Sequence, residues 1–324
     1  MANLSIQQSI QQFPDLIEDA YSRASGFRVD HNIKNIIIAG MGGSGIGGEL
    51  LKTYLRGINL RIEVVKEPIL PKFADKNTLL IVSSYSGNTE ETIAVYRQAL
   101  RKSCKVMGIT SNGKLQKLCE RNNFPHILMP QGFQPRAALP YSFFMLLRIL
   151  ENSELIPSQK NYVKETIKVL KKNIYKSIIV DIVERLKDKI PLIYASDKFG
   201  AVVKRWKTQF NENTKIPAFC NVLPEMNHNE LQGFGKLSKN FQAIILKDEK
   251  DDKIVLKRIK PTKALLKKQG VSSLEISITG SCTLAKIFSA IYIGDLASYY
   301  LALKYKVNPD EVPIIEGLKE KLKE

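Results

Sequence analysis

Histidine, cysteine and tryptophan are scarce in this 324-residue sequence, which holds three, four and one of them. The cysteines, Cys104, Cys119, Cys220 and Cys282, show no CxxC spacing. Neither a disulfide framework nor a zinc cluster is therefore expected, and each cysteine reads as a small core residue. No apolar run approaches the ~18 to 20 residues of a membrane-crossing helix, and no basic start followed by an unbroken apolar core opens the chain. The expectation is a soluble, cytoplasmic protein with no membrane partner. Repeats of solenoid length are missing, and no Lys followed by Ser or Thr completes a Walker loop.

Acidic charge is also short. Lys and Arg exceed Asp and Glu by 49 − 32 = 17. Such an excess suits nucleic-acid binding, but the lysines are spread along the whole chain and mixed with acids, as in "LKDEKDDKIVLKRIKPTKALLKK". That pattern is typical of solvated faces, and a basic field equally steers small phosphorylated substrates. No nucleic-acid partner is expected.

The 44% hydrophobic content allows a proper core in each of two ordinary domains. Ile10, Phe13, Ile17 and Tyr21 recur at helical spacing within residues 1 to 30. A strand follows at Asn35 to Ala39, then a glycine loop and a helix from about Gly47 to Arg56. "RIEVV", "TLLIVSS" and "KVMGITS" read as further strands, with "ETIAVYRQALRK" as an amphipathic helix. A lysine-rich helix, "NYVKETIKVLKKNIY", connects to a second alternation: "IPLIYASD", "FGAVVKRWKTQFNENT", "FQAIILKD", "SSLEISIT", the long helix "CTLAKIFSAIYIGDLASYYLALKY" and a charged C-terminal helix. Strands alternating with helices predict α/β architecture, parallel sheets with helices on both faces. Two such halves are expected, 1–152 with a leading helix and 153–324 with a C-terminal helix.

Six glycines crowd into "GMGGSGIGG", residues 40 to 48. Gly40, Gly42 and Gly45 satisfy GxGxxG, and Glu63 lies near the place of a ribose-binding acid, so a dinucleotide is one reading. Bare backbone at a strand end opening a helix serves a single phosphate equally well. A second loop, "SSYSGNTEET" at residues 83 to 92, also lies between strand and helix. It offers the hydroxyls of Ser84, Ser86 and Thr89, with Gly87 for the turn. Capping of the helix by Thr89 and Thr92 would need one hydroxyl, whereas this loop supplies three, which favours a phosphate cradle.

"SYSGNTEET" resembles the phosphate-binding loop of the sugar isomerase (SIS) domain family. "GMGGSGIGGE" resembles the first glycine loop of its bifunctional phosphoglucose/phosphomannose isomerase branch, and the likeness continues through "PRAALPY" and "FNENTKIPAFCNVLPEMNHNEL". The resemblance implies two doubly wound SIS subdomains and a homodimer with active sites at the subunit interface. It also implies that Gly43, Ser44, Ser84, Ser86 and Thr89 hold a sugar phosphate.

Aldose-ketose interconversion requires an opened ring and a proton moved between C2 and C1 through an enediolate. It needs a carboxylate base near C2, a cation near the developing charge, and a proton donor and acceptor at the ring; no metal or redox cofactor is obligatory. Of the histidines, His31 lies in a polar stretch, His126 in "FPHILMP" reads as packing, and His228 stands in the polar "EMNHNEL". Glu225 and His228 are three apart, but no second histidine accompanies them to make a metal site. Glu212 on its own reads as a solvated helix-end carboxylate. The resemblance makes it the base, ideally with its pKa raised toward neutrality by partial burial. By the same match His228 opens the ring, Arg136 in "QPRAALPY" stabilises the enediolate, and a C-terminal lysine assists. Spacing alone leaves Arg136 open to being a surface arginine. Among Lys319, Lys321 and Lys323, Lys319 follows the apolar face most directly.

The expected activity is metal-independent interconversion of glucose 6-phosphate and mannose 6-phosphate with fructose 6-phosphate. A non-catalytic sugar-phosphate sensor on the same domain is the alternative. Such a regulator would be expected to carry an added DNA-binding module, and a glucosamine-synthase-like enzyme an N-terminal glutaminase region. An NAD-dependent oxidoreductase would leave the serine loop without a purpose.

Overall fold

The computed structural model describes residues 4–29, 32–172, 175–235 and 238–322. The chain forms two compact units, Met1–Ile167 and Lys168–Glu324. Compactness thus puts the divide fifteen residues beyond the 152/153 boundary placed from the sequence, 167 − 152 = 15. Residues 153–167 stay with the first unit through side-chain ties: Tyr54 OH donates to Gln159 Oε1 (2.6 Å) and Ser158 Oγ donates to Glu151 Oε1 (2.7 Å).

The first unit opens with two helices, α1 (Ile6–Gln11) and α2 (Phe13–Arg23), where the periodicity alone predicts one. Ser5 and Gln8 make a reciprocal capping box on α1, and the chain breaks at Gln12 because Pro14 can join only the first turn of a new helix. Then come β1 (Asn35–Ala39), α3 (Gly42–Tyr54), β2 (Arg61–Val65), β3 (Thr78–Ser84), α4 (Glu90–Arg101), β4 (Lys105–Thr110), α5 (Gly113–Arg121), β5 (His126–Leu128), α6 (Leu139–Asn152) and α7 (Lys160–Leu170), within whose last turn the divide falls. The strands pair in the order β2-β1-β3-β4-β5, all parallel. Ile36, Ile37 and Ile38 of β1 and every residue of β3 are buried, as central strands covered on both faces must be. Helix α6 is apolar all round and correspondingly buried, with α2 and α3 packed on it.

The second unit contains α8 (Lys176–Leu186), β6 (Ile190–Ser196), α9 (Gly200–Gln209), β7 (Phe219–Leu223), β8 (Phe241–Lys247), α10 (Lys253–Lys268), β9 (Ser272–Ser277), α11 (Thr283–Lys304) and α12 (Pro313–Lys321). Its parallel sheet runs β7-β6-β8-β9. Both units are therefore parallel sheets flanked by helices. In each sheet the order reverses beside the first strand, between β1 and β3 and between β6 and β8. Open α/β sheets bind ligands beyond the carboxyl ends of strands at such reversal points. Among the described residues no helix is long and apolar enough to cross a membrane.

Candidate active site

The glycine loop leaves β1 at its carboxyl end and enters α3 at Gly42, five residues earlier than the sequence suggests. The reason is packing. A Cβ on Gly43 would lie 2.4 Å from the Pro135 carbonyl oxygen and 2.9 Å from the Arg136 Cα. One on Gly47 would lie 2.3 Å from the Ser142 oxygen of α6. These glycines are helical residues that let α3 press against neighbouring backbone, so the motif's low helix propensity conceals the helix. The dinucleotide reading loses support here, since Glu63 on β2 is half-exposed and pairs with Lys52 (3.3 Å).

The serine loop leaves β3, the strand next to β1. Ser44 Oγ accepts from the Tyr85 amide (3.1 Å), which ties the two loops together. Ser84 and Thr89 hydroxyls lie 2.9 Å apart, and the Asn88 amide donates to Ser86 Oγ (3.3 Å). Gly87 adopts φ +66°, with Asn112 carbonyl oxygen where a Cβ would stand, so only glycine closes this turn. Thr89 occupies the N-cap position of α4 without a side-chain capping bond, and the Thr92 hydroxyl donates to the Thr89 carbonyl instead. The capping alternative is thereby corrected. The Thr89 hydroxyl turns toward Ser84, and the positive end of α4 faces the loop.

Tyr85, missed in the sequence, clamps this loop. Its hydroxyl donates to Pro130 O (3.1 Å) and accepts from the Phe133 amide (2.8 Å), while its carbonyl accepts from Ser111 Oγ (2.6 Å). Burial raises its phenol pKa, which keeps the donor protonated. Its bulk between two serines was the available signal. Arg136 is only 3% exposed, in a turn whose backbone abuts Gly43, so the surface-arginine alternative is also corrected. Gly43, Ser44, Ser84, Ser86, Thr89 and Arg136 thus gather at one sheet reversal point.

The corresponding point of the second sheet is filled by the chain itself. Asp248, just beyond β8, receives Lys198 (2.6 Å), from the turn after β6, and Lys286 from α11. Burial alone would raise its carboxyl pKa, but the hydrogen bonds from Lys198 and Lys286 outweigh burial and hold it below the ordinary range. Here a carboxylate stands where the first unit offers hydroxyls and a helix start.

The second unit also carries the other sequence-derived candidates. Glu212 lies half-buried in a π-helical turn, Phe210–Thr214, that continues α9 and ends at Lys215 with φ 61°. His228 is exposed at the end of a 3-10 turn, its amide donating to the Glu225 carbonyl (2.9 Å). Tyr194 OH (2.5 Å) and Asn221 Nδ2 (2.7 Å) both donate to Glu230, fixing the segment that follows His228 to β6 and β7. Lys319 is exposed on α12, alongside Ile314, Leu318 and Leu322, of which Ile314 is 88% exposed. Lys321 closes the same helix, whereas His31 and Lys323 fall outside the described residues. Cys104 and Cys119 are buried as expected, while Cys220 and Cys282 are half-buried. Among the described residues no cluster of three or more His, Cys, Asp or Glu could hold a metal.

Residues 31–127 match the SIS domain model, and residues 177–322 match that of the bacterial phospho-glucose isomerase C-terminal SIS domain. A bifunctional phosphoglucose/phosphomannose isomerase of Caldicellulosiruptor bescii is 37% identical over 98% of both chains. The chain belongs to the bifunctional phosphoglucose/phosphomannose isomerase family. Its sequence is also similar to a D-glucosamine-6-phosphate 4-epimerase of Sulfolobus acidocaldarius, at 32% identity over 96% of both chains. The crystal structure of a hypothetical protein from Thermus thermophilus shares the fold, with a TM-score of 0.78 and 14% identity over 97% of this chain and 90% of that one.

Proposed function

We propose that this protein is an aldose-ketose isomerase interconverting fructose 6-phosphate with glucose 6-phosphate and with mannose 6-phosphate. The observation that carries the reading is the joined pair of strand-end loops, with Ser44 bonded to the Tyr85 amide and Ser84 facing Thr89. The 37% identity to a protein named for both isomerisations supports it. In this reading the phosphate ester rests on Gly43, Ser44, Ser84, Ser86 and Thr89, where two helix starts favour an anion without a lysine. His228 and Lys319 exchange the protons that open the ring, which must come first because the C2 proton is acidic only beside a free carbonyl. Glu212 then carries that proton between C2 and C1, and Arg136 stabilises the enediolate oxygen. The two aldoses differ only at C2, which is planar in the enediolate, so one intermediate leads to both.

The working form in this reading is a cytoplasmic homodimer whose sites are each completed by the neighbouring subunit. The exposed Ile314, Leu318 and Leu322 beside Lys319 support burial of α12 on assembly. Fructose 6-phosphate incubated with purified protein and EDTA should yield both aldose phosphates. One aldose alone would narrow the activity, and bound sugar phosphate without turnover would return the sensor. Glu212→Gln should abolish isomerisation while leaving phosphate-ligand binding intact.

A second reading follows from the 4-epimerase relative. Glucosamine 6-phosphate converted to its C4 epimer, with no aldose formed from fructose 6-phosphate, would establish it.

A further inference from the structure

The turn bearing Glu212 stands on a closed ring of buried polar groups. Arg205 on α9 pairs bidentately with Asp295 on α11, Nε to Oδ1 at 3.2 Å and Nη2 to Oδ2 at 2.7 Å, with both side chains 3% exposed. With the Gln209 amide oriented to meet the guanidinium, its oxygen accepts from Nη1 (2.7 Å) and Nη2 (2.6 Å). The Asn213 amide lies 3.0 Å from that of Gln209 and 3.0 Å from Ser298 Oγ. Ser298 Oγ donates to the Asp295 carbonyl (2.9 Å), which closes the ring.

Apolar side chains of similar volume would hold such a helix pair together as well or better, because burying an ion pair costs more desolvation than packing does. What such a ring of buried polar contacts adds is a preferred arrangement, because each group has few other partners within reach. Its product is a local one. Asn213 belongs to the π-turn itself, next to Glu212, and Thr214 Oγ1 bonds the Ser298 carbonyl (2.9 Å). On the other side, Asn211 Nδ2 donates to the Ile216 carbonyl (2.9 Å). The Lys215 ammonium reaches the Glu212 carbonyl and that of Glu311 (2.6 Å). Glu212 is thus held between anchored neighbours on a widened turn, a backbone form that gathers at functional sites.

We propose that this ring is the positioning framework of Glu212, with Asn213 and Ser298 as positioning residues that act through the turn and do not touch substrate. The inference rests on Glu212 being the base of the proposed isomerase. Asn213→Ala and Ser298→Ala should each lower kcat by about 10- to 100-fold, the scale of a displacement near 1 Å, with KM for fructose 6-phosphate unchanged. Rates are taken per folded site, counted by titration with a non-reacting sugar phosphate, so that a loss of folded protein alone would not register. The paired exchange Arg205→Met with Asp295→Leu, which also takes the guanidinium from the Gln209 oxygen, should lose kcat per folded site whether or not the thermal midpoint moves, separating position from stability. If a variant fails to fold, Ser298→Ala, which removes a single hydroxyl, decides. Wild-type kcat in Ser298→Ala and Asn213→Ala, alongside an inactive Glu212→Gln, overturns the positioning role. Full activity in Glu212→Gln overturns the base assignment instead.

Discussion

Gly43→Ala tests whether the glycine loop is a packing device that sets the phosphate cradle. The added methyl carbon would stand 2.4 Å from the Pro135 carbonyl oxygen, 2.7 Å from its carbon and 2.9 Å from the Arg136 Cα. Ordinary contact begins at 3.4 Å, so the two backbones must separate by 3.4 − 2.4 = 1.0 Å. None of the three obstructing atoms belongs to a side-chain tip that could swing aside. Overpacking of this kind costs about 1 to 3 kcal/mol. For a unit of this size that lowers the thermal midpoint by roughly 2 to 12 °C. The same displacement moves Ser44 relative to Arg136, and misplacement by about 1 Å can cost on the order of 100-fold in rate. Calorimetry and an isomerase assay on the same preparation measure both. Gly26→Ala is the control, because nothing lies within 4 Å of its added carbon. A Gly43→Ala protein as stable and as fast as Gly26→Ala would refute the close-packing argument.

Tyr85→Phe removes one hydroxyl that both donates to Pro130 and accepts from Phe133. It should cost about 1 to 3 kcal/mol and raise KM for sugar phosphates more than it lowers kcat, read from steady-state kinetics and urea unfolding. Arg136→Lys keeps the charge but loses the planar fork, so kcat should fall further than affinity for a non-reacting sugar phosphate. Asp248→Asn leaves Lys198 and Lys286 without their shared carboxylate and should cost about 3 to 5 kcal/mol near neutral pH. Because the folded-state pKa of Asp248 is depressed, its contribution is present above the unfolded carboxylate value and is lost as pH falls through the folded one. Urea unfolding of both proteins should therefore converge in acid. A stability gap that persists at the lowest pH where both fold would contradict the ion-pair account.

The alternation of strands and helices was legible because β1, β3, β6 and β8 are central strands whose apolar runs stand out from the charged helices. The edges were not. β5 and β7 are short or half-exposed, with burial too irregular to show as a period, and α10 reads as a run of lysines. The serine loop announced itself by composition, since three hydroxyls and a glycine between strand and helix have few other uses. Arg136 and Tyr85 did not, because whether an arginine in a turn is buried depends on the segment lying over it, in this case Gly43 of α3.

By itself the sequence determined two α/β halves, the two loops that end β1 and β3, and the residue types a proton-transferring sugar-phosphate site requires. These are local properties, written in runs of ten residues or fewer. Tertiary structure alone decided that the glycines begin α3, that Thr89 faces Ser84 and leaves α4 uncapped, and that Arg205, Gln209, Asn213, Asp295 and Ser298 close one ring under Glu212. The partners in that ring stand up to ninety residues apart. Such a pairing is fixed by how α9 and α11 pack, and no local pattern of charge or hydropathy encodes it.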